Sequence, residues 1–127
     1  MTARLVRAIS HPSVDILGHP TGRRILKRPP YPVDMDAVLT AAAAHGVAVE
    51  INCQIERLEL HEGHARLARE RGVGIVIDTD AHSGRALASV QWGIFVARRA
   101  WLTAADVLNT RPFDAFRASL RRNRSRS

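Results

Sequence analysis

Three short apolar runs, each closed by polar residues, constrain this chain more than any other feature. They are "VDIL" at residues 14–17, "VAVEIN" at 47–52 and "GIVID" at 74–78. Between and around them the apolar residues recur at three and four, the period of a helix with one buried face. Residues 2–9 fit a short helix on Leu5, Val6 and Ile9, with Thr2 as its N-cap. Residues 34–45 fit a second on Met35, Val38, Leu39 and Ala42, stopped by Gly46. Residues 61–71, 90–99 and 112–120 fit three more, with Thr103 and Asp106 framing an extra turn. The segment "TGRRILKRPPYP" is a loop, because Pro29, Pro30 and Pro32 forbid regular pairing.

Strands separated by helices mean parallel strands joined by right-handed crossovers. The expected fold class is therefore α/β, about three parallel strands with flanking helices. Three strands are too few to close a barrel. They would leave one sheet face and two edges open, which invites self-association or marginal stability.

In such a sheet, chemistry collects beyond the C-terminal ends of the strands. Each run here ends in a polar group. The first delivers His19, the second Glu50 and Asn52, the third Asp78, Asp80 and His82. Residues at i and i+2 share a side while the chain stays extended. Asp80 and His82 can thus face one centre, with His19 arriving from another strand. Carboxylate oxygen and imidazole nitrogen suit Mn²⁺, Fe²⁺ or Zn²⁺. A polar capping loop and a backbone-bonded histidine are the plainer alternatives. Glu50 and Asn52 are candidates for orienting ligands or substrate, with Asp78 beside them. Arg23 and Arg57, in the mouth-side loops, are candidates for holding a phosphate or for ordinary surface ion pairs.

Hydrophobic content of 46% allows a core and argues against disorder. One cysteine, Cys53, excludes an internal disulfide and suits a reducing compartment. No apolar run approaches the roughly 18 residues of a membrane helix, so the expected location is the cytoplasm, with no membrane partner. The formal charge is +7, but Arg121, Arg122, Arg124 and Arg126 crowd the last seven residues. Without them 15 basic residues face 12 acidic ones, so the body is only mildly basic. Residues 121–127 read as a basic disordered tail able to touch nucleic-acid phosphates. His45, His61 and His64 are expected in solvent. Trp92, Phe95 and Trp101 are expected in the core, Cys53 is expected to be an inert apolar residue, and Tyr31 a loop anchor.

The motifs "DILGHPTGR", "YPVDMDAVL", "VEIN", "ERLEL", "TDAHS" and "VARRAWLTAADVLNT", in this order, resemble the C-terminal part of a PHP (polymerase and histidinol phosphatase) domain. The nearest kind is the PHP domain attached to bacterial family X DNA polymerases. The resemblance runs over residues 5–120. It implies the C-terminal portion of a distorted (βα)7 barrel with a cluster of divalent metal ions at its mouth. It implies that His19, Asp80 and His82 are metal ligands, for Mn or Zn with Fe as a further option. It implies hydrolysis of phosphate esters: 3′–5′ exonuclease or phosphodiesterase action on DNA 3′-ends in repair, or a phosphatase of the histidinol-phosphatase type on small esters. A catalytically incomplete nucleic-acid-binding fragment is the third alternative. The family opens with an H-x-H ligand motif, and no such motif precedes His19. The chain is therefore expected to be the last part of a longer enzyme. Its expected partners include the missing N-terminal part of the barrel or another copy of the chain. "CQI" at residues 53–55, and Asp78 where asparagine is common, depart from the pattern.

Overall fold

The computed structural model describes residues 1–124; Arg126 of the basic tail lies outside them, as do the side chains of Arg122 and Arg124. The described chain runs α1 (Thr2–Ser10), β1 (Ile16–Leu17), α2 (Met35–His45), β2 (Ala48–Asn52), α3 (Glu62–Glu70), β3 (Ile75–Asp78), α4 (Val90–Arg99), α5 (Phe113–Ser119) and α6 (Arg121–Arg124). Short 3-10 turns at Gly84–Ser89 and Leu108–Thr110 complete it. The three strands form one parallel sheet in the order β1-β2-β3. The α/β expectation holds, and this flanked three-strand sheet is consistent with an arc of a barrel.

The central strand explains the burial. All five residues of β2 are buried, because a neighbour covers each edge and helices cover the sheet. Val49 and Ile51 are fully buried, and pack with Ile9, Val38, Leu39, Leu60 and Ile75 in the core. The helix signals act as their chemistry requires. Asp34 caps α2 by accepting from Ala37 N–H at 3.1 Å, and Gly46 leaves the helix at φ 65°. Thr2 does not cap α1. Met1 takes that place, and the Thr2 hydroxyl accepts the Asp34 N–H at 2.9 Å, joining α1 to the start of α2.

Two expectations about surfaces change. The edge of β3 is not open. Ile75 N–H donates to the Asp106 carbonyl, and the Asn109 side chain exchanges both amide hydrogen bonds with the Ile77 backbone, at 3.0 and 2.7 Å. One asparagine thus stands in for a strand neighbour, which removes an aggregation-prone edge. Trp92, Phe95 and Trp101 are not core residues: they are 38%, 47% and 67% exposed. The apolar stripe of α4 exceeds what the sheet can cover, so Gly93, Val96 and Ala97 are buried while the aromatic side faces out. Trp92 meets Phe95 edge-on, and the Arg66 guanidinium lies 4.1 Å over the Trp101 ring.

Arg121 donates to the carbonyls of Ile9 and His11 at 2.8 Å, tying the C-terminal segment to the end of α1. No helix among the described residues is long and apolar enough to cross a membrane.

Candidate functional site

The polar cluster forms where the strands end. β2 and β3 are in register, with Asn52 opposite Asp78. Glu50 and Asn52 lie two residues apart on one strand, so their side chains emerge together, and Asn52 Nδ2 donates to Glu50 Oε1 at 3.2 Å. The other Glu50 oxygen accepts the backbone N–H of His19 at 2.6 Å. Asn52 Nδ2 also reaches Asp80 Oδ2 at 3.3 Å. Asp78 Oδ1 accepts the Asp80 N–H at 2.9 Å, and Gln54 Nε2 donates to the Asp80 carbonyl at 2.8 Å. The ends of all three strands are therefore linked through one network.

Glu50 is the most perturbed member. Burial pushes its carboxyl up to about 8, reinforced by a hydrogen bond to Asp78 and by the Asp78 charge; the His19 and Asn52 hydrogen bonds oppose the rise. At neutral pH the neutral acid predominates, and it shares its hydrogen bond with Asp78. That limits the negative charge packed at the mouth. Burial likewise raises the Cys53 thiol to about 11, which fits an inert buried residue.

His19 and Asp80 both sit at positive φ, 26° and 47°. Non-glycine residues adopt this region when their surroundings hold them there, often at functional sites. His82 is exposed, and its Nδ1 lies 2.7 Å from the Asp80 carbonyl oxygen. If that contact carries the Nδ1 proton, Nε2 is left with a free lone pair. The same backbone tie commonly orients metal-bound imidazoles.

The donor types of His19, Asp80 and His82 suit a divalent transition metal, and they follow the ends of β1 and β3. As placed, they do not form a closed ligand set: among the described residues, no three His, Cys, Asp or Glu side chains gather tightly enough to hold an ion. The fit is one of donor chemistry and backbone tethering, and further donors or water would have to complete the coordination.

The loop bearing His19 is clamped from a second side by a residue the sequence reading passed over. Glu59, only 1% exposed, accepts the N–H groups of Thr21 and Gly22 on one oxygen, the latter at 3.1 Å. Arg23 returns the clamp through Nε to the Arg57 carbonyl at 2.9 Å, and through Nη2 to the Leu58 carbonyl. Two of its donors thus serve structure. Arg57 Nε and Nη1 are buried without a hydrogen-bond partner. The only sequence signal for Glu59 was an acid inside the apolar-alternating "ERLEL".

His61 and His64 also differ from a solvated reading. His61 caps α3 through Nδ1 on Gly63 N–H at 3.0 Å, and its ring lies 4.0 Å from that of His64. Burial lowers both, with Arg23 adding to the effect, and His64 falls to about 4.

With this geometry in hand, the relatives become informative. The chain is 39% identical over 120 residues to the DNA polymerase/3'-5' exonuclease PolX of Bacillus subtilis (strain 168), covering 94% of this chain and 21% of that protein. It is 34% identical over 116 residues to a "probable phosphatase" of Thermoanaerobacter sp. (strain X514), covering 86% of this chain and 44% of the relative. A "probable phosphatase" of Clostridium acetobutylicum is 34% identical over 87 residues, 64% of this chain and 33% of its own length. The chain is homologous to these proteins. It spans about a fifth of the polymerase and under half of the phosphatases. No protein-family model matches it.

Proposed function

We propose that this chain carries the C-terminal portion of a PHP-type, metal-dependent phosphoesterase site, of the kind that acts on phosphodiesters at DNA 3′-ends. The observation that carries the reading is the Asp80–His82 segment. Its carboxylate is held by Asn52, its backbone by Asp78 and Gln54, and its imidazole Nδ1 lies against the Asp80 carbonyl. Homology to a 3'-5' exonuclease over most of the chain supports the same assignment.

In this reading His19, Asp80 and His82 hold the cation, Mn or Zn with Fe as an option. Bound divalent ions would polarise the phosphoryl oxygen and generate a nucleophilic water at neutral pH. The chain's own contribution is positioning. Asn52 fixes the Asp80 carboxylate, and Glu50 fixes the His19 backbone. The remaining ligands would come from the N-terminal part of the barrel or from another copy of the chain.

A phosphatase acting on small phosphate monoesters is the second reading, favoured by the relatives named as probable phosphatases. One experiment separates the two. Purified chain is given Mn²⁺ or Zn²⁺ with bis-p-nitrophenyl phosphate, p-nitrophenyl phosphate or a labelled oligonucleotide, beside His82→Ala. Diester or oligonucleotide cleavage that needs metal and disappears in His82→Ala supports the proposal. Monoester cleavage alone supports the second reading. Metal-stimulated cleavage equal in wild type and variant refutes the ligand assignment.

A further inference from the structure

The turn at residues 23–28 holds an apolar tip in water with unusual firmness. Arg24 and Arg28 exchange backbone hydrogen bonds at 2.9 and 2.7 Å, closing the turn. Arg28 Nε and Nη2 both donate to the Gly22 carbonyl, and the Arg28 guanidinium lies 5.2 Å over the Tyr31 ring. Tyr31 in turn donates its N–H to the Thr21 carbonyl at 2.8 Å, and its ring sits against Gly22, where any Cβ would collide with it. At the apex Leu26 is 103% exposed, at φ 61°. A non-glycine residue in this region is strained, and a wholly exposed leucine recovers nothing by burial in the free chain.

The tip stands beside the strand mouth. Ile25 N–H donates to the Glu56 carbonyl at 2.6 Å, so the turn leans on the 54–56 loop. Gln54, Ile55 and Glu56 in turn face His82, Ser83 and Ala86 across a cleft of about 320 Å³. Ile55, in the loop on which the turn leans, is 59% exposed and adds apolar surface to the rim. The cations around the tip are Arg23, Arg24, Lys27 and Arg28. Glu56 pairs with Arg24 and with Lys27, at 2.7 Å for the latter, and among the described residues it is the one carboxylate paired with these cations. The rim thus presents exposed aliphatic side chains among four cations, of which Arg24 and Lys27 share the one Glu56 carboxylate, leaving a net positive charge.

That combination suits single-stranded nucleic acid, whose phosphates are tracked by cations and whose unstacked bases can cover exposed aliphatic surface. We propose that the residue 23–28 turn, with Ile55, is a nucleic-acid-gripping rim that receives a single-stranded end and leads it toward His82. Leu26 packs against a base, and Lys27 and Arg24 meet the phosphates. This rests on the phosphodiester reading above and adds to it the element that selects a strand end over a small ester.

The test is fluorescence anisotropy of a 5′-labelled single-stranded DNA oligonucleotide with the full chain in EDTA, so that hydrolysis is blocked. Leu26→Gly is the central variant, because glycine tolerates positive φ and leaves the turn relaxed. It is expected to raise Kd about tenfold with an unchanged salt slope. Lys27→Gln is expected to lower the slope of log K against log salt by about one contact. Unaltered affinity in Leu26→Gly, or no binding by the wild-type chain, would overturn the rim. So would a change in sedimentation of Leu26→Gly with DNA affinity intact, which would make the tip a contact for a second copy. The two proposals fail separately. Hydrolysis with an unchanged KM for oligonucleotide in Leu26→Gly refutes the rim alone, and a clear affinity contrast beside metal-stimulated hydrolysis that is equal in wild type and His82→Ala refutes the ligand assignment alone.

Discussion

Gly93 packs α4 tightly against Cys53 and Ile77, and adding one methyl group there tests whether that approach matters. A Cβ on Gly93 would lie far inside van der Waals contact of Cys53 Sγ, and 2.8 Å from Ile77 Cγ2. Both neighbours are constrained. Cys53 is fully buried, with its sulfur 3.8 Å from the carbonyls of Ile51 and Val90, and Ile77 lies on β3. The helix must therefore move out, or Cys53 must leave its rotamer. Overpacking of this kind costs about 1–3 kcal/mol, while replacing glycine by alanine inside a helix returns about 1 kcal/mol. Gly93→Ala is expected to destabilise the chain by up to about 2 kcal/mol, lowering Tm by up to roughly 8 °C. Introduced on top of Cys53→Ala, the same change should cost at least about 1 kcal/mol less, because the sulfur no longer blocks the methyl group. Urea melts of the four proteins in the cycle measure this. Cys53 follows Asn52, which holds Asp80, so under the phosphoesterase proposal any oligonucleotide hydrolysis should fall with stability in Gly93→Ala and recover in the double variant. A Gly93→Ala chain more stable than wild type, or a cycle with no coupling, would refute the packing argument.

Other perturbations have equally definite outcomes. Asn109→Ala removes both bonds to the Ile77 backbone and should cost about 1–2 kcal/mol; hydrogen exchange at Ile77 should speed up relative to Val49, and equal protection would disprove the edge cover. His64 is lowered to about 4 by burial, then by His61 and Arg23, so the unfolded chain binds its proton first and stability drops as pH falls from about 6.5 toward 4. The full shift corresponds to about 3 kcal/mol, and partial solvent contact reduces that to about 1 kcal/mol; His64→Gln should flatten this limb of a stability–pH curve. Glu50 has the opposite sign. Its carboxyl is raised to about 8, so its proton is held more tightly in the fold, and stability is lost as pH rises from about 4.5 through 8. Glu50→Gln should remove that alkaline decline, and a decline that persists in the variant would assign it elsewhere.

Much of this protein was legible in the order of its residues, because local rules decided it. The three parallel strands follow from apolar runs separated by helical periods, and α4 occupies the expected residues 90–99. Asp34 and Gly46 terminate α2 as their side-chain chemistry dictates. Pairing of Glu50 with Asn52 follows from a two-residue strand period, and gathering of Asp78 and Asp80 near them follows from placing each polar group at a parallel strand's end. What periodicity cannot say is which partner a face meets. The Trp92 and Phe95 side of α4 has the pattern of a core face but exceeds the sheet available, so it stays exposed. Long-range contacts carry no local signature either. Only the folded chain brings Glu59 beneath the His19 loop, 37 residues away in sequence from Gly22, and only there does Asn109 stand in for a fourth strand beside Ile77. The local code therefore determined the strands, most helix ends and the residues at the mouth. Tertiary packing decided which polar groups lost water, and with it which of them became clamps, which stayed neutral and which remained free to meet a ligand.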